Sequence, residues 1–311
     1  MGKKSIMKVI NVEPHGYSFK AIELWNQKGF LYTEKSWEEI DKINEIEADV
    51  LIVRLKRKIN IEVIKKFKNL KYLVSATTGL DHIDVNYLEE CGIKLVSLKG
   101  QDEFLKTIPS TAELTWALLM NLIRKVSFAN EDVKKGNWQR DQFRGFQLKD
   151  KTIGIVGLGR IGSIVAEYAK CFKMNVQYFD PYINDTNFIK TDTLEILLKT
   201  SDIISFHIHL NENTTNLINT KNIHLLKKNC LLINTSRGKI LDEISICEKL
   251  KRDEIGGIAV DVLSTELEDI SKSYLWKAQQ DGYNVIITPH IGGATWDAMW
   301  DCEEFIVKTF F

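Results

Sequence analysis

The feature that most constrains the fold of this chain of 311 residues is the glycine-rich hexapeptide GLGRIG at positions 157–162. It follows an apolar, β-branched run at 153–156, and a helix is predicted to begin near Ile161. In such a turn the first glycine permits the tight bend, the second lets the backbone approach a pyrophosphate, and the third lets the helix pack closely on the strand. The pyrophosphate would lie at the helix N-terminus, where unpaired amide groups point at it. The pattern predicts a dinucleotide-binding unit.

An acidic residue stands where the ribose of a bound dinucleotide is expected. Asp180 follows the next predicted strand, at 176–179, and lies 18 residues beyond Gly162. A carboxylate accepts hydrogen bonds from ribose hydroxyls, whereas it would repel a ribose phosphate a few ångströms away by roughly 1 to 4 kcal/mol, depending on the effective dielectric. We therefore predict NAD and not NADP as the cofactor. The competing interpretation is a glycine-rich turn that binds no ligand.

Short β-branched runs alternate with helical stretches in two series, which is the signature of parallel sheets. At about 150 residues per domain, this length suggests two domains. We predict an α/β protein with two Rossmann-like, doubly wound parallel-sheet domains. The predicted strands of the first series are 9–12, 50–53, 73–75 and 95–97, with helices at 61–67 and 85–91, and the strands of the second series are 153–156, 176–179, 203–206, 231–234, 258–262 and 285–287.

A helix that is apolar on nearly every side is predicted between the two series. Ser110 or Thr111 can cap it, and it extends to about Lys125. Such a helix needs burial from more than one direction, either between domains or at a subunit interface. The polar stretch after it, at 127–149, is predicted to be a long connecting loop or arm.

Composition excludes several classes of partner. Lysine plus arginine number 42 and aspartate plus glutamate number 42, so nothing favours phosphate backbones or anionic membranes. No apolar run approaches the roughly 18 residues that span a bilayer, and Lys8 interrupts the only stretch that resembles an export signal. Five cysteines without a CxxC pair are typical of reduced thiols, interpreted here as core residues. We expect a cytoplasmic protein that binds neither nucleic acid nor membrane.

Three polar residues follow strands of the second series. Arg237 comes after 231–234, Glu266 comes five residues past Asp261, and His290 follows 285–287. Each alone has an ordinary explanation as a surface charge, a solvated loop residue or a histidine beside a turn. Because the carboxyl ends of parallel strands border the ligand crevice of an open sheet, the three together predict a catalytic set.

These residue types fit the oxidation of a secondary alcohol. The hydroxyl proton must leave while a hydride moves to a nicotinamide, and His290 is the base for that proton. Glu266 would fix the histidine tautomer and stabilise the imidazolium, and Arg237 can hold a carboxylate in a bidentate fork and polarise the reacting oxygen. The implied substrate is a small acid whose reacting carbon lies near its carboxylate.

Five motifs together resemble the D-isomer-specific 2-hydroxyacid dehydrogenases, over nearly the whole chain. They are GLGRIG, the pair Asp180 and Pro181, NTSRG at 234–238, AVDVL at 259–263 and TPHIGGAT at 288–295. The resemblance implies that His290 transfers the proton, Glu266 supports it, Arg237 binds substrate, and the loop 76–84 holds the substrate carboxylate on Thr78 and Gly79. The cofactor-binding residues that follow are Gly157, Gly159, Arg160, Ile161, Gly162, Asp180, Thr235 and, at the nicotinamide end, Asp261.

The resemblance also implies an architecture. A flavodoxin-like substrate domain would comprise 1–105 and 292–311, because the chain returns to it by a final helix, and an NAD-binding Rossmann domain would comprise 106–291. We expect a homodimer that acts on a small-molecule 2-hydroxy or 2-keto acid.

Several positions depart from the pattern of the family. His209 stands where proline is common, and Leu267 and Glu268 replace the usual proline after Glu266. His207 and His209 would share one face of a strand, but no acidic or cysteine partner joins them at suitable spacing, so we predict no metal. Trp296 and Trp300, four residues apart, would share a helical face, either bordering the substrate or packing as ordinary core residues.

Two alternative functions remain at this stage. One is an NAD(H)-sensing scaffold resembling the C-terminal-binding co-repressors, which keep this fold and this catalytic set but act by binding partners. The other is a phosphite-type or formate-type dehydrogenase. Glu266 argues against the formate type, because those enzymes carry glutamine at that position.

Overall fold

The computed structural model describes residues 6–184 and 187–311. The chain divides into two compact units, one formed by Met1–Thr107 with Ala294–Phe311 and the other by Ile108–Gly293. The boundaries expected from the sequence, after 105 and before 292, differ from these by two residues each. Residues 1–5, which begin the stretch considered above as an export signal, lie outside the described part of the chain.

The first unit contains a five-stranded parallel sheet whose strand order is that of flavodoxin-like folds. Its elements in chain order are β1 (Lys8–Asn11), α1 (Phe19–Gln27), β2 (Leu31–Glu34), α2 (Trp37–Asp41), β3 (Ile46–Glu47), β4 (Val50–Val53), α3 (Ile61–Lys65), β5 (Phe67–Lys68), β6 (Tyr72–Ser75), α4 (Val85–Glu90), β7 (Lys94–Ser97) and α5 (Asp102–Leu105). The sheet runs β2-β1-β4-β6-β7, and β3 pairs with β5 in a separate two-stranded sheet.

The second unit contains a seven-stranded parallel sheet, which is the Rossmann order with one further strand. Its elements are α6 (Ser110–Arg124), α7 (Val126–Lys134), β8 (Thr152–Val156), α8 (Arg160–Cys171), β9 (Asn175–Phe179), β10 (Ile189–Lys190), α9 (Leu194–Thr200), β11 (Ile203–Phe206), β12 (Leu231–Asn234), α10 (Glu243–Lys251), β13 (Gly257–Val260), α11 (Tyr274–Gln280) and β14 (Val285–Ile287). The sheet runs β10-β9-β8-β11-β12-β13-β14, so β11 to β14 lie side by side.

The last helix, α12 (Trp296–Phe310), belongs to the first unit. Its buried Glu303 forms an ion pair with Arg54 and accepts a hydrogen bond from the amide of Ser18 at 2.7 Å. Trp296 and Trp300 share a face of this helix with ring centroids 5.6 Å apart, and both indoles are partly exposed.

Four local predictions are wrong. The start of α6 has Pro109 at the capping position and no side-chain cap, so neither Ser110 nor Thr111 caps it. The loop predicted at 127–149 contains α7, which Lys125 separates from α6 by a left-handed backbone (φ 53°). None of the α7 residues is buried, and its apolar residues Val126, Ala129 and Val133, although at helical spacing, stand in a mostly polar stretch that favoured the prediction of a loop. The third error is the assignment of all five cysteines to the core, since Cys91 and Cys171 are exposed. The fourth is the omission of α1, β2 and α2, which were not predicted.

Among the residues that the structure describes, none of the helices combines the length and the apolar composition of a membrane span.

Candidate active site

The glycine-rich turn joins β8 to α8, and a different structural reason accounts for glycine at each of its three glycine positions. Gly157 has φ 88°, and a Cβ there would lie 2.6 Å from the carbonyl oxygen of His207. A Cβ on Gly162 would lie 2.1 Å from the carbonyl oxygen of Gly157. Close packing against backbone atoms therefore requires glycine at positions 157 and 162. A Cβ on Gly159 would meet nothing within 4 Å, so protein packing does not explain this glycine.

Gly159 is the capping residue of α8, and no described side chain caps that helix. The first amide groups of a helix have no partners within it, and they favour an anion such as a pyrophosphate. The open space beside Gly159 and the uncapped N-terminus together fit the dinucleotide predicted from the sequence.

Asp180 lies directly after β9 and is 8% exposed. Its carboxylate accepts hydrogen bonds from the amides of Leu158 at 2.9 Å, Tyr182 at 2.8 Å and Ile183 at 3.2 Å. A carboxylate has about four acceptor positions, so these three amides orient the group and leave capacity for a ribose hydroxyl. The first amide belongs to the glycine-rich turn, so Asp180 also ties that turn to the end of β9.

Two residues that were predicted to bind the cofactor form hydrogen bonds with other residues of the protein. The guanidinium of Arg160 donates a hydrogen bond to the carbonyl of Ile108 at 3.0 Å, and the hydroxyl of buried Thr235 lies 2.9 Å from that of Thr115 on α6. Ile161 is partly buried in the first turn of α8. Sequence reasoning did not select Thr115, because a threonine within an apolar helix has no distinctive pattern.

The strand register brings the predicted catalytic residues to one edge of the sheet. Asn234 pairs with Val260, and Val260 pairs with Ile287 at the carboxyl ends of β12, β13 and β14. The segments that carry Arg237, Asp261 and His290 follow these three neighbouring strands in that order. This is the edge where an open parallel sheet binds ligands.

Asp261 shapes the loop that carries His290. Its buried carboxylate accepts hydrogen bonds from the hydroxyl of Thr288 and from the amides of Ile291 at 2.9 Å and Gly292 at 2.7 Å. Its backbone carbonyl accepts from the amide of His290 at 2.9 Å. Burial raises the pKa of Asp261, and these hydrogen bonds oppose the rise. Asp261 thus holds a loop in which His290 has φ 55°, a strained value for a residue with a side chain.

His290 and Glu266 form a hydrogen-bonded pair. Nδ1 of His290 lies 3.1 Å from Oε1 of Glu266, and both side chains are 28% exposed. The other carboxylate oxygen, Oε2, is buried and has no hydrogen-bond partner among the described residues. With Nδ1 donating to the carboxylate, Nε2 is the ring nitrogen that can exchange a proton with a substrate.

Arg237 is partly buried, and its backbone is fixed by its neighbours. Its carbonyl accepts from the side-chain amide of Asn234 at 2.9 Å, and its guanidinium donates to the carbonyl of Ser236 at 2.7 Å. The next residue, Gly238, lies against the Glu266 loop, because a Cβ there would be 2.1 Å from the carbonyl carbon of Leu263.

In the first unit, Thr78 and Gly79 follow β6 in a turn held by its own side chains. The hydroxyl of Thr77 lies 2.9 Å from that of Ser75 and donates to the carbonyl of Gly79 at 2.9 Å. Thr78 itself is exposed. The turn therefore has a defined shape at the carboxyl edge of the five-stranded sheet.

His207 and His209 lie beyond the end of β11, so the prediction that they share one face of a strand is wrong. Nε2 of His207 lies 2.8 Å from the hydroxyl of Ser205, and burial lowers the pKa of His207 to about 3. His209 is exposed. Across residues 6–184 and 187–311, no cluster of three or more potential metal ligands occurs.

Residues 116–292 match the model of the NAD-binding domain of the D-isomer specific 2-hydroxyacid dehydrogenases. The chain belongs to this family. NAD is therefore the cofactor of the second unit, in agreement with the open space at Gly159 and the carboxylate of Asp180.

Relatives of this dehydrogenase family resemble the chain along nearly all of its length. It is 34% identical to the hydroxypyruvate reductase of Thermotoga maritima over 297 residues, which cover 94% of each protein. It is also 34% identical to the D-3-phosphoglycerate dehydrogenase of Archaeoglobus fulgidus over 310 residues, but it spans only 56% of that protein. The solved structure of D-lactate dehydrogenase from Aquifex aeolicus, complexed with NAD and lactic acid, matches the chain with a TM-score of 0.75 and 27% sequence identity. The match covers 97% of this chain and 93% of that protein.

Proposed function

We propose that this chain interconverts a D-2-hydroxy acid and its 2-keto acid, with NAD as the hydride carrier and His290 as the acid–base group. The observation that carries the proposal is the His290–Glu266 pair, which lies in the same unit and at the same sheet edge as the dinucleotide turn. The relatives are named dehydrogenases and reductases, which favours this reaction over a scaffold or a phosphite-type enzyme.

In the reductive direction, NADH bound at the glycine-rich turn and Asp180 would supply the hydride for the carbonyl carbon of the keto acid. Protonated His290 donates its Nε2 proton to the carbonyl oxygen, which becomes the hydroxyl of the product, and the neutral imidazole then regains a proton from solvent. Glu266 stabilises the imidazolium and holds Nδ1. Oxidation runs the same steps in reverse, with neutral His290 accepting the hydroxyl proton.

Three other residues serve substrate binding in this proposal. Arg237 donates charge-assisted hydrogen bonds to the substrate carboxylate or carbonyl oxygen, and the backbone amides of Thr78 and Gly79 donate to the carboxylate. Asp261 acts on the loop of His290, since all of its observed side-chain hydrogen bonds go to residues 288–292.

The proposal is tested by following NADH oxidation with a panel of 2-keto acids that contains glyoxylate, pyruvate, hydroxypyruvate and 3-phosphohydroxypyruvate. Turnover of at least one acid, with the D-isomer as the product, is expected. NADH binding without turnover of any of them would favour a scaffold and contradict the proposal.

The assembly and location are also part of the proposal. Apolar side chains stand exposed on and after α7, among them Trp138 at 87% and Phe146 at 61% exposure, and a second copy of the chain would bury them. We therefore propose a homodimer. We propose the cytoplasm as its location because five cysteines without a CxxC pair are typical of reduced thiols. Replacing Trp138 by Asp should shift the mass measured by light scattering from dimer to monomer, and an unchanged mass would contradict this role.

A further inference from the structure

A buried carboxylate in the second unit has no part in the mechanism above. Glu243 begins α10 and is 7% exposed. Its Oε1 accepts from the amide of Ser264 at 3.2 Å and from its hydroxyl at 2.8 Å. Its Oε2 accepts from the hydroxyl of Ser273 at 2.7 Å and from the amides of Tyr274 at 2.9 Å and Leu275 at 3.4 Å. Both oxygens are therefore fully used by the protein.

The donors lie at the start of one loop and at the junction of its end with α11, and that loop carries Glu266. Ser264 is its first residue and Ser273 its last, so the carboxylate of Glu243 joins the two ends. The segment between them contains no strand and no α-helix, only a single 3-10 turn at Ile270–Lys272. The backbone hydrogen bonds of residues 265–272 stay within the loop, from Glu268 to Thr265, from Lys272 to Asp269 and from Ser273 to Ile270, so Glu243 attaches this locally folded segment to the rest of the unit at its ends.

The start of the loop is held from a second side. Gly238 lies so close that a Cβ there would be 2.3 Å from the amide nitrogen of Ser264. Ser264 is therefore packed between the carboxylate of Glu243 and the turn that follows Arg237. Because Gly238 follows Arg237 and Ser264 begins the loop of Glu266, this contact links the position of Glu266 to that of Arg237.

We propose that Glu243 is a positioning residue for the acid–base pair, holding the loop 264–273 so that Glu266 reaches Nδ1 of His290. The inference rests on the proposed function, because it assigns Glu243 a role only through the histidine that function requires. It predicts that Glu243 influences proton transfer and leaves NADH binding unchanged.

The test variant is Glu243→Gln. Whichever way the amide is oriented, its NH₂ group faces backbone N–H donors, at Ser264 or at Tyr274 and Leu275, so one end of the loop loses its acceptor. We expect kcat for keto-acid reduction to fall about tenfold, with the Kd for NADH within about twofold of the wild type. The decline of the reductive rate with rising pH should begin at lower pH, as in Glu266→Gln, because a displaced carboxylate stabilises the imidazolium less. Glu248→Gln, an exposed carboxylate on the same helix, is the matched control and should behave as the wild type.

A double-mutant cycle separates positioning from general destabilisation. If Glu243 acts through Glu266, adding Glu243→Gln to Glu266→Gln should lower kcat by less than about twofold further. Losses that multiply in the double variant, or an unchanged pH profile in Glu243→Gln, would overturn the inference.

If Glu243→Gln does not fold, as judged by circular dichroism, Ser264→Ala replaces it in the same cycle. This variant removes one hydroxyl donor at the start of the loop and should give a smaller loss of kcat with the same shift in pH profile; an unchanged profile would overturn the inference. Failure of the proposed function itself looks different, because either the wild type would turn over none of the keto acids, or Glu266→Gln and His290→Ala would retain wild-type turnover.

Discussion

Glu266 and His290 are 24 residues apart in the chain, and Oε1 of the first lies 3.1 Å from Nδ1 of the second. The contact depends on the pairing of β13 with β14, which places the loops after these two strands side by side. A carboxylate at this distance fixes the tautomer of the imidazole and favours its protonated form. The pair is the chemical centre of the proposed reaction.

Replacing Glu266 by Gln tests the charge in this pair. The amide oxygen can still accept from Nδ1, but a neutral acceptor stabilises the imidazolium by about 1 to 2 kcal/mol less than a carboxylate. We expect the rate of keto-acid reduction near pH 8 to fall about tenfold and the loss to shrink as the pH is lowered. Steady-state rates from pH 5 to 9 measure this, with Glu268→Gln, an exposed neighbour in the loop, as the control. Parallel pH profiles for the wild type and Glu266→Gln would count against the role.

The glycine-rich turn allows cofactor binding to be separated from folding. In Gly159→Ala the new methyl group meets no protein atom within 4 Å, so stability should fall by less than about 1 kcal/mol, while the Kd for NADH should rise at least tenfold. In Gly162→Ala the methyl group collides with the backbone of Gly157, and unfolding should occur at clearly lower urea concentration. Urea titration and NADH fluorescence measure the two effects. Unimpaired NADH binding by Gly159→Ala would contradict the proposed site of the pyrophosphate.

The carboxylate of Asp180 should determine the preference for NADH over NADPH. Asp180→Asn removes the negative charge, and the repulsion of a ribose phosphate, roughly 1 to 4 kcal/mol, disappears with it. We expect the ratio of the two Kd values to move toward NADPH by about tenfold or more. The exposed Asp192→Asn provides a control of equal charge change. A wild type that binds NADPH as tightly as NADH would overturn this account of selectivity.

Burial of His207 predicts a loss of stability in weak acid. The pKa of His207 is lowered from 6.5 to about 3 in the folded chain, so between these values the unfolded chain binds more protons. The free energy of unfolding should therefore decrease as the pH falls, by about 1 to 3 kcal/mol from this group between pH 7 and 4.5. His207→Gln should show a flatter dependence in urea titrations over that range, whereas His224→Gln, at an exposed position, should keep the wild-type dependence. Equal slopes for all three proteins would show that His207 does not contribute.

The sequence predicted the parts of the fold that follow from local patterns. Four of the five strands of the first sheet, six of the seven strands of the second and the turn at Gly157 to Gly162 were predicted, because β-branched runs and fixed glycine spacing carry their own signal. Helix α7 was missed, since its short apolar repeat stands in a mostly polar stretch and none of its side chains is buried.

In the candidate site, too, some residues could be predicted from sequence patterns and others could not. Glu266 and His290 could be selected from their places after predicted strands, but no sequence pattern marked Glu243, whose five hydrogen-bond donors come from residues 264–275. Asp261 was expected at the nicotinamide end. Its hydrogen bonds to the His290 loop could not be predicted, because they depend on backbone geometry that residue spacing alone does not specify.

The central claim, that His290 transfers the proton in an NAD-linked reduction, is tested most directly by His290→Ala assayed with the best keto acid and titrated with NADH. Acid–base catalysis by a placed side chain contributes about 10²- to 10⁴-fold, so kcat should fall by that factor while the Kd for NADH stays within about twofold of the wild type. A variant that retains more than about a tenth of the wild-type turnover, with NADH binding intact, would contradict the claim.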